Sequence, residues 1–219
     1  MSHVGPNARH RAVGRIVEGG VVAVLRDVDA DEVVPVARAV VEGGVRAVEV
    51  TADTPGAMDQ VAAVAEDLGD VALVGAGTVL DAETARAALL AGSAFVVSPS
   101  FHRDVVEVCN RYGAPVVPGV ATPTEAVEAY AAGADLVKLF PAAALGPAYL
   151  AALQGPLSQI PVMPTGGIDA ANAGAFVEAG AVAVGAGSSI VDADAMARGD
   201  LEAVTERARA LVEAVDSAR

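Results

Sequence analysis

One unit recurs along the chain: a helical stretch ends in glycine, and a short apolar stretch follows it. The four clearest copies lie around Gly43, Gly92, Gly133 and Gly180 and read VVEGGVRAVEV, LLAGSAFVVSP, AYAAGADLVKLF and FVEAGAVAVGAG. A glycine after the last helical turn lets the chain leave the helix in a left-handed conformation. The spacing of the copies leaves room for two strand–helix units in each interval. The repeat therefore restricts the chain to folds in which strands and helices alternate.

Filling in the intermediate units gives eight strands. They are short, mostly apolar and rich in valine, as strands buried on both faces of a parallel sheet are. The predicted strands are Val21–Leu25, Ala47–Thr51, Val71–Gly75, Phe95–Ser98, Val116–Gly119, Leu136–Phe140, Pro161–Thr165 and Val182–Ala186. Eight such units within 219 residues favour a closed (β/α)8 TIM barrel. An open doubly wound sheet is the alternative.

We expect the barrel to form a single domain over residues 1–219, with residues 1–5 disordered. Residues 6–18 are predicted to form an extra helix before the first strand, and a helix near Asp200–Val215 closes the outer ring. No stretch of the sequence is typical of a linker. In a barrel of this kind the chemistry lies at the carboxyl ends of the strands, so polar residues there are the candidates.

The formal net charge of −14 disfavours nucleic acid and anionic membranes as partners. A phosphorylated ligand would have to be held locally, by backbone N–H groups or a helix N-terminus. Cys109 is the only cysteine, which excludes an intrachain disulfide, and we interpret it as a core residue. The sequence shows no signal-peptide pattern, and we expect a cytoplasmic protein.

Lys138, within GADLVKLFPA, is the only lysine among the 14 Lys and Arg residues. Burial on a strand disfavours the ammonium ion, and a neutral amine is what addition to a carbonyl group requires. The position therefore indicates a nucleophile that forms a Schiff base. A lysine that pairs with a carboxylate or holds a phosphate is the alternative.

Glu49 lies in VRAVEVT on the second predicted strand, where a carboxylate is costly unless it is paired or functional. If Glu49 and Lys138 both point into the barrel, Glu49 can move protons during carbinolamine formation, dehydration and carbon–carbon cleavage. A structural ion pair with Lys138 or Arg26 is the alternative. Arg26 ends the first strand, and its guanidinium group can hold a carboxylate or a phosphate. A structural salt bridge within the protein is the alternative.

Glycine-rich turns follow three of the predicted strands. The stretch GAG before Thr78 lets the backbone approach a ligand closely. PTGGI (Pro164–Ile168) and GAGSS (Gly185–Ser189) follow the seventh and eighth strands, where many barrels bind phosphate. Their N–H groups, together with the hydroxyl group of Ser188, predict a phosphate site.

Metal-dependent chemistry finds little support in the sequence. His3, His10 and His102 are the only histidines, and they show no metal-ligand spacing. We therefore expect no metal and no cofactor, with a magnesium site built from Asp and Glu side chains left open.

Together these motifs resemble the 2-keto-3-deoxy-6-phosphogluconate (KDPG) aldolase family, which includes 4-hydroxy-2-oxoglutarate (KHG) aldolase activity. The resemblance runs from about Val21 to Ile190 and rests on VLR, VEVT, GAGTV, VSP, PGVATPTE, VKLFPA, PTGGI and the Gly-Ser turn after the last strand. The order GAGTV, VKLFPA, PTGGI is its most specific part. The resemblance implies a barrel, class I aldolase chemistry and a homotrimer.

The resemblance also implies a role for each candidate residue. Lys138 matches the family's Schiff-base lysine, and Glu49 matches its general acid/base. The residues that shape the pocket for the keto acid match Thr78, Pro99 and Phe140, and those of the phosphate site match Gly166, Gly167 and Ser188.

One position departs from the family pattern. Some members carry an arginine four residues after the catalytic glutamate, whereas this chain has Asp53. An acidic side chain cannot bind a substrate carboxylate or phosphate as arginine does, so we expect Arg26 to take over that task. Relatives that act on the galactonate epimer also lack this arginine, and the configuration preferred at C4 is left open.

The sequence thus predicts a lyase in which Lys138 attacks the C2 ketone of KDPG, with pyruvate and glyceraldehyde 3-phosphate as products. The same chemistry on the galactonate epimer or on KHG is the first alternative. A sugar-phosphate epimerase and a non-catalytic barrel that binds phosphorylated metabolites are the others. The epimerase would need a pair of acids or a metal at the barrel mouth.

Overall fold

The structure, a computed structural model, describes residues 6–219. Strands and helices alternate along the chain, as the repeat predicts. The predicted disorder of residues 1–5 lies outside the described residues. In chain order the strands are β1 (Val21–Leu25), β2 (Ala47–Thr51), β3 (Leu73–Gly77), β4 (Val96–Val97), β5 (Val116–Val117), β6 (Gly119–Val120), β7 (Val137–Leu139), β8 (Val162–Pro164) and β9 (Val184–Ala186).

Helices separate almost all of these strands, and none in residues 6–219 is long and apolar enough to cross a lipid bilayer. They are α1 (Pro6–Gly19), α2 (Val33–Glu42), α3 (Ala57–Leu68), α4 (Ala82–Leu90), α5 (Arg103–Tyr112), α6 (Pro123–Ala131), α7 (Ala142–Leu145), α8 (Pro147–Leu157), α9 (Ala173–Glu178), α10 (Ala193–Ala197) and α11 (Leu201–Ser217). The extra first helix is present as α1. The predicted last helix is α11, which begins after its N-cap residue Asp200.

Backbone hydrogen bonds between neighbouring strands close the sheet into a ring. Six parallel strands follow the order β5-β4-β3-β2-β1-β9, and three follow the order β6-β7-β8. β8 and β9 meet through a bridge between Thr165 and Gly185 and a 3.0 Å hydrogen bond from the Val182 N–H to the Val162 carbonyl. β5 and β6 are one predicted strand interrupted at Pro118, which has no N–H to donate. The closed barrel is thus confirmed, with the eight predicted strand positions in sequence order.

The third strand begins two residues later than predicted, at Leu73 instead of Val71. After α3, the N–H groups of Val71 and Ala72 both donate to the Leu68 carbonyl (2.9 and 2.8 Å), so these residues complete a turn. Leu73 is the first residue in register with β2, opposite Ala47. The apolar side chain of Val71 misled the prediction, because it is exposed to solvent.

Left-handed glycines end the repeated helices. Gly92, Gly133 and Gly180 have φ values of 103°, 100° and 105°. In the first copy of the repeat the left-handed residue is Gly44 (φ 104°), whereas Gly43 is still helical (φ −71°). Because glycine takes either conformation at little cost, the sequence could not decide between the two adjacent residues.

Apolar side chains fill the lower half of the barrel. Alternate residues of each strand point inward, and the buried cluster that they form comprises Val22, Ala47, Leu73, Phe95, Val97, Val117, Leu136, Met163 and Ala183, with Ala12 and Ile16 from α1. α1 therefore covers the amino-terminal end of the barrel. Phe95 occupies the middle, where a Cβ atom on Gly75 would lie 2.5 Å from its ring.

Cys109 of α5 is buried, as predicted. Burial raises the pKa of its thiol to about 12. Because the thiolate is the reactive form, we expect the native protein to resist alkylation by iodoacetamide and the denatured protein to react. Mass spectrometry after timed alkylation checks this, and rapid modification of the folded protein would contradict the result.

Candidate active site

A cavity of about 710 Å³ opens at the carboxyl ends of the strands, where the sequence places the chemistry. It is lined by Val24, Arg26, Asp27, Val28, Asp29, Glu32, Lys138, Phe140, Thr165, Gly166, Gly167, Gly187, Ser188, Val191, Ala193, Met196 and Ala197. Six of the nine predicted site residues belong to this lining, namely Arg26, Lys138, Phe140, Gly166, Gly167 and Ser188.

Lys138 is held at the centre of β7. Its backbone N–H donates to the Pro118 carbonyl (2.8 Å), and it is in register with Gly119 and Met163 on the flanking strands. The residue is 6% exposed, and its side chain forms neither a hydrogen bond nor an ion pair with another described residue. Its Nζ atom lies 5.4 Å from the centre of the Phe140 ring. The amine thus faces the cavity without a polar partner that would compete with a ligand.

Glu49 lies on β2, in register with Val24 and Gly75, two residues beyond the inward-facing Ala47. It is 1% exposed, and its Oε2 atom has no hydrogen-bond partner among the described residues. Burial raises the pKa of this carboxyl group, and the charges of Lys138 and Arg26 oppose the rise. A buried carboxyl group with a raised pKa is suited to taking up and releasing a proton during a reaction.

Gly77 leaves the space that Glu49 occupies, since a Cβ atom at residue 77 would lie 2.5 Å from Oε1 of Glu49. We expect Gly77→Ala to displace the carboxyl group and to lower kcat by about 10²-fold, the effect of a misplacement of roughly 1 Å. Steady-state kinetics and thermal unfolding check this. Gly14→Ala is the matched control, because nothing lies within 4 Å of a Cβ atom there. Equal losses of activity in the two variants would contradict the prediction.

Arg26, the predicted anion-binding residue, already has a counter-ion. Its guanidinium group forms an ion pair with Asp53 and donates to the Thr78 hydroxyl group (2.8 Å). Thr78 has a left-handed backbone (φ 56°), which is uncommon outside glycine. Although burial opposes the effect, the hydrogen bond from Thr51 and the charge of Arg26 lower the pKa of Asp53. The ends of β1, β2 and β3 are therefore linked by one polar network.

The two predicted phosphate-binding turns lie side by side, and the hydroxyl group of Ser189 donates to the Ile168 carbonyl (2.7 Å) between them. Gly166 and Gly167 have left-handed backbones (φ 94° and 73°). Among the described residues, the backbone N–H groups of Gly167 and Ser188 have no acceptor, and that of Gly166 lies beside them at the bridge to Gly185. Free N–H groups on adjoining turns form the kind of donor site that binds an anion.

Glu49, Pro99 and Thr78 lie outside the cavity lining. A Cβ atom at residue 119 would lie 2.1 Å from the backbone carbonyl of Pro99, so the chain packs closely at Gly119. Gly119 is the register partner of Lys138 on β6, so Pro99 supports the strand beside the lysine. Residues 6–219 contain no group of three His, Cys, Asp or Glu side chains that could hold a metal ion.

Four polar residues of the cavity were not predicted from the sequence. Asp27, Asp29 and Glu32 line it from the turn between β1 and α2, and Thr165 does so from the residue after β8. The stretch DADEVV is typical of the start of an amphipathic helix, and this pattern concealed the acidic residues. Treating every polar residue that follows a strand as a candidate would have found them.

Residues 13–207 match the family model described as KDPG and KHG aldolase. The chain belongs to this family. A 2-dehydro-3-deoxy-phosphogluconate aldolase from Treponema pallidum is 43% identical over 176 residues, which cover 80% of this chain and 83% of the relative. A 2-dehydro-3-deoxy-6-phosphogalactonate aldolase from Escherichia coli is 37% identical over 88% of this chain and 93% of the relative.

A solved structure within the KDPG and KHG aldolase family has the same fold. It is the crystal structure of the KDPG aldolase from Legionella pneumophila with pyruvate captured at low pH as a covalent carbinolamine intermediate. Its TM-score is 0.85 at 31% identity, and the match covers 91% of this chain and 97% of that one. The family and the barrel fold predicted from the sequence are thus confirmed.

Proposed function

We propose that this member of the KDPG and KHG aldolase family is a class I aldolase that cleaves KDPG into pyruvate and glyceraldehyde 3-phosphate. The observation that carries the proposal is a pair of buried groups inside the barrel, of which Lys138 lines the cavity. Lys138 is an amine without a polar partner, and Glu49 is a carboxyl group whose pKa is raised by burial. Such a pair supplies a nucleophile and a group that moves protons.

Lys138 adds to the C2 ketone of the substrate, and loss of water from the carbinolamine gives a protonated imine. Glu49 then takes the proton of the C4 hydroxyl group. The C3–C4 bond breaks, its electron pair moves into the iminium group, and the aldehyde leaves an enamine of pyruvate behind. Protonation of the enamine at C3 and hydrolysis of the imine release pyruvate and restore the Lys138 amine.

The remaining cavity residues bind and position the substrate. Its phosphate group accepts hydrogen bonds from the backbone N–H groups of the turns at Gly166, Gly167 and Ser188 and from the Ser188 hydroxyl group. The Phe140 ring covers the keto acid beside Lys138. Thr78 and Pro99 act indirectly, through Arg26 and through the strand beside Lys138.

Borohydride trapping with pyruvate, followed by peptide mass spectrometry, tests this function. The chain offers one lysine and its amino terminus as amines, so the site of the adduct is assigned without ambiguity. We expect a reduced pyruvate adduct on Lys138, together with release of pyruvate from KDPG in a coupled assay. Folded protein that gives neither adduct nor pyruvate would contradict the proposal.

The galactonate epimer of KDPG is a second candidate substrate, favoured by the ion pair between Arg26 and Asp53. Asp53 stands where some family members carry arginine, and relatives that act on the galactonate epimer also lack that arginine. Values of kcat/KM for KDPG, its epimer and KHG, measured under one condition, rank the three. A preference of more than about tenfold for the epimer would replace KDPG as the proposed substrate.

We also propose that one barrel domain forms each subunit of a cytoplasmic homotrimer, the assembly that the family resemblance implies. Most of the exposed large apolar side chains in the described residues fall between β3 and α6, and these are Leu80, Leu90, Tyr112, Val127 and Tyr130. These side chains are the candidates for the contact between subunits, since large contiguous apolar patches mark interaction surfaces. Light scattering should give three times the mass of the chain, and Tyr130→Asp should weaken the assembly. A monomer at micromolar concentration would contradict it.

A further inference from the structure

The cavity that holds Lys138 contains more acidic than basic side chains. Two of its lining side chains are cationic, Arg26 and Lys138, and three are acidic, Asp27, Asp29 and Glu32. A proposed substrate that carries a carboxylate and a phosphate group meets repulsion from these acidic side chains, because like charges repel across a few ångströms.

Asp53 offsets the charge of Arg26, the only arginine among the described residues that line the cavity. One terminal nitrogen of Arg26 pairs with Asp53, and the other donates to the Thr78 hydroxyl group, so both are engaged within the protein. With Asp53 included, four acidic side chains at the rim stand against two basic ones, so the acidic side chains outnumber the basic ones. Arg26 therefore contributes little net attraction for a phosphate group.

The three acidic side chains of the lining are free to accept hydrogen bonds from a ligand. None of Asp27, Asp29 and Glu32 accepts a hydrogen bond or forms an ion pair through its side chain with a described residue. Lys138 points to a ligand in this cavity, since its side chain lines the same cavity, is more than nine-tenths buried and lacks a polar partner.

Carboxylates bind a substrate that ends in hydroxyl groups, whereas backbone N–H groups bind one that ends in a phosphate group. Carboxylate oxygens are acceptors only, and a hydroxyl group donates one hydrogen bond, whereas an ionised phosphate group has no proton to give. The cavity thus offers N–H donors for a phosphate group in the turns after β8 and β9 and acceptors for hydroxyl groups in the turn after β1.

We infer that the cavity also takes 2-keto-3-deoxy sugar acids without the phosphate group, whose terminal hydroxyl groups donate to Asp27, Asp29 and Glu32. This second activity rests on the proposed function, because Lys138 and Glu49 perform the same cleavage on both substrates. The C3–C4 bond breaks and the C4 hydroxyl proton passes to Glu49 as before. The aldehyde product is then glyceraldehyde in place of its phosphate ester.

Kinetics with the phosphorylated substrate and with its dephosphorylated form test the inference. The variants are Asp29→Asn, Glu32→Gln and their combination. Removal of one carboxylate weakens the repulsion of the phosphate group, and we expect kcat/KM for the phosphorylated substrate to rise about fivefold. For the dephosphorylated substrate we expect a fall of about fivefold, through KM, because a hydrogen bond to a charged group is lost.

Asp31→Asn is the matched control. Asp31 is exposed in the same turn but does not line the cavity, so its replacement should leave the ratio of the two kcat/KM values unchanged. Opposite changes for the two substrates cannot arise from partial unfolding, which would lower both values together. Thermal unfolding of each variant is measured alongside.

Cleavage of the phosphorylated substrate alone would overturn the inference and leave the proposed function intact. A ratio that shifts as much in Asp31→Asn as in Asp29→Asn would overturn it as well. Failure to cleave either substrate, with no pyruvate adduct on Lys138, would instead overturn the proposed function.

Discussion

Lys138→Met is expected to abolish cleavage and to leave the barrel folded. Methionine is close to lysine in length and fits a buried strand position, but it cannot add to a carbonyl group. We expect kcat to fall by about 10⁴-fold or more, as when other catalytic nucleophiles are removed. Because the variant also removes a buried polar group without a partner, its thermal midpoint should equal or exceed that of the wild type.

Lys138→Arg separates the nucleophile from the charge. Arginine keeps a cation beside Glu49, but its guanidinium group stays protonated and does not form a Schiff base. We expect this variant to be as inactive as Lys138→Met in the coupled pyruvate assay, and neither variant to give a borohydride-trapped adduct. Activity within tenfold of the wild type in either variant, or a wild-type adduct confined to the amino terminus, would remove Lys138 from its proposed role.

Glu49→Gln is expected to lower kcat by about 10²- to 10⁴-fold, the usual contribution of a general acid or base. Glutamine keeps the shape of the side chain but cannot carry the proton. The Lys138 amine remains in this variant, so a reduced pyruvate adduct should still be trapped, although more slowly. A variant that cleaves slowly but still forms the adduct has lost proton transfer and kept the site. Loss of a residue that only maintains the structure of the site would reduce both.

The pH dependence of kcat gives a second measurement on Glu49. A base acts in its ionised form, so the wild-type kcat should rise with pH through the pKa of Glu49, which burial raises above its usual value. Glu49→Gln should lack this rise. A rising limb that persists unchanged in the variant would assign the titration to another group.

The same shift predicts how Glu49 affects stability. Because its pKa is higher in the folded than in the unfolded state, the folded state holds the proton more tightly. The stabilisation that the protonated Glu49 adds to the free energy of unfolding is therefore fully present below the unfolded-state pKa. It is lost as the pH rises through the folded-state pKa. Glu49→Gln should be at least as stable as the wild type above that window, as thermal unfolding at several pH values would show.

The positions of Glu49 and Lys138 were predictable because a strand points every second residue inward. Ala47 and Leu136 belong to the apolar interior. Glu49 lies two residues after Ala47, and Lys138 lies two residues after Leu136. Lys138 also has no competitor, since the chain contains no other lysine. The strand period therefore explains why both side chains point into the barrel, a condition that the sequence alone left open.

Contacts between side chains on different turns were not predictable in the same way. The sequence showed that Asp53 departs from the family pattern, but its ion pair with Arg26 depends on how the turns after β1 and β2 fold. Asp29 and Glu32 were concealed because acidic residues are common at the start of any helix. Likewise, the apolar side chain of Val71 gave no sign that it lies in a turn.

Because the lower half of the barrel is filled with side chains, the active-site cavity opens to solvent at one end of the barrel. Phe95 and its apolar neighbours lie below Glu49 and Lys138, and α1 covers the far end, so water and products exchange through the mouth of the cavity alone. The turns that we propose for the phosphate group of the aldehyde half also line this cavity. We therefore expect the aldehyde to leave before water reaches the imine, so that the closed floor of the barrel sets the order in which the two products leave.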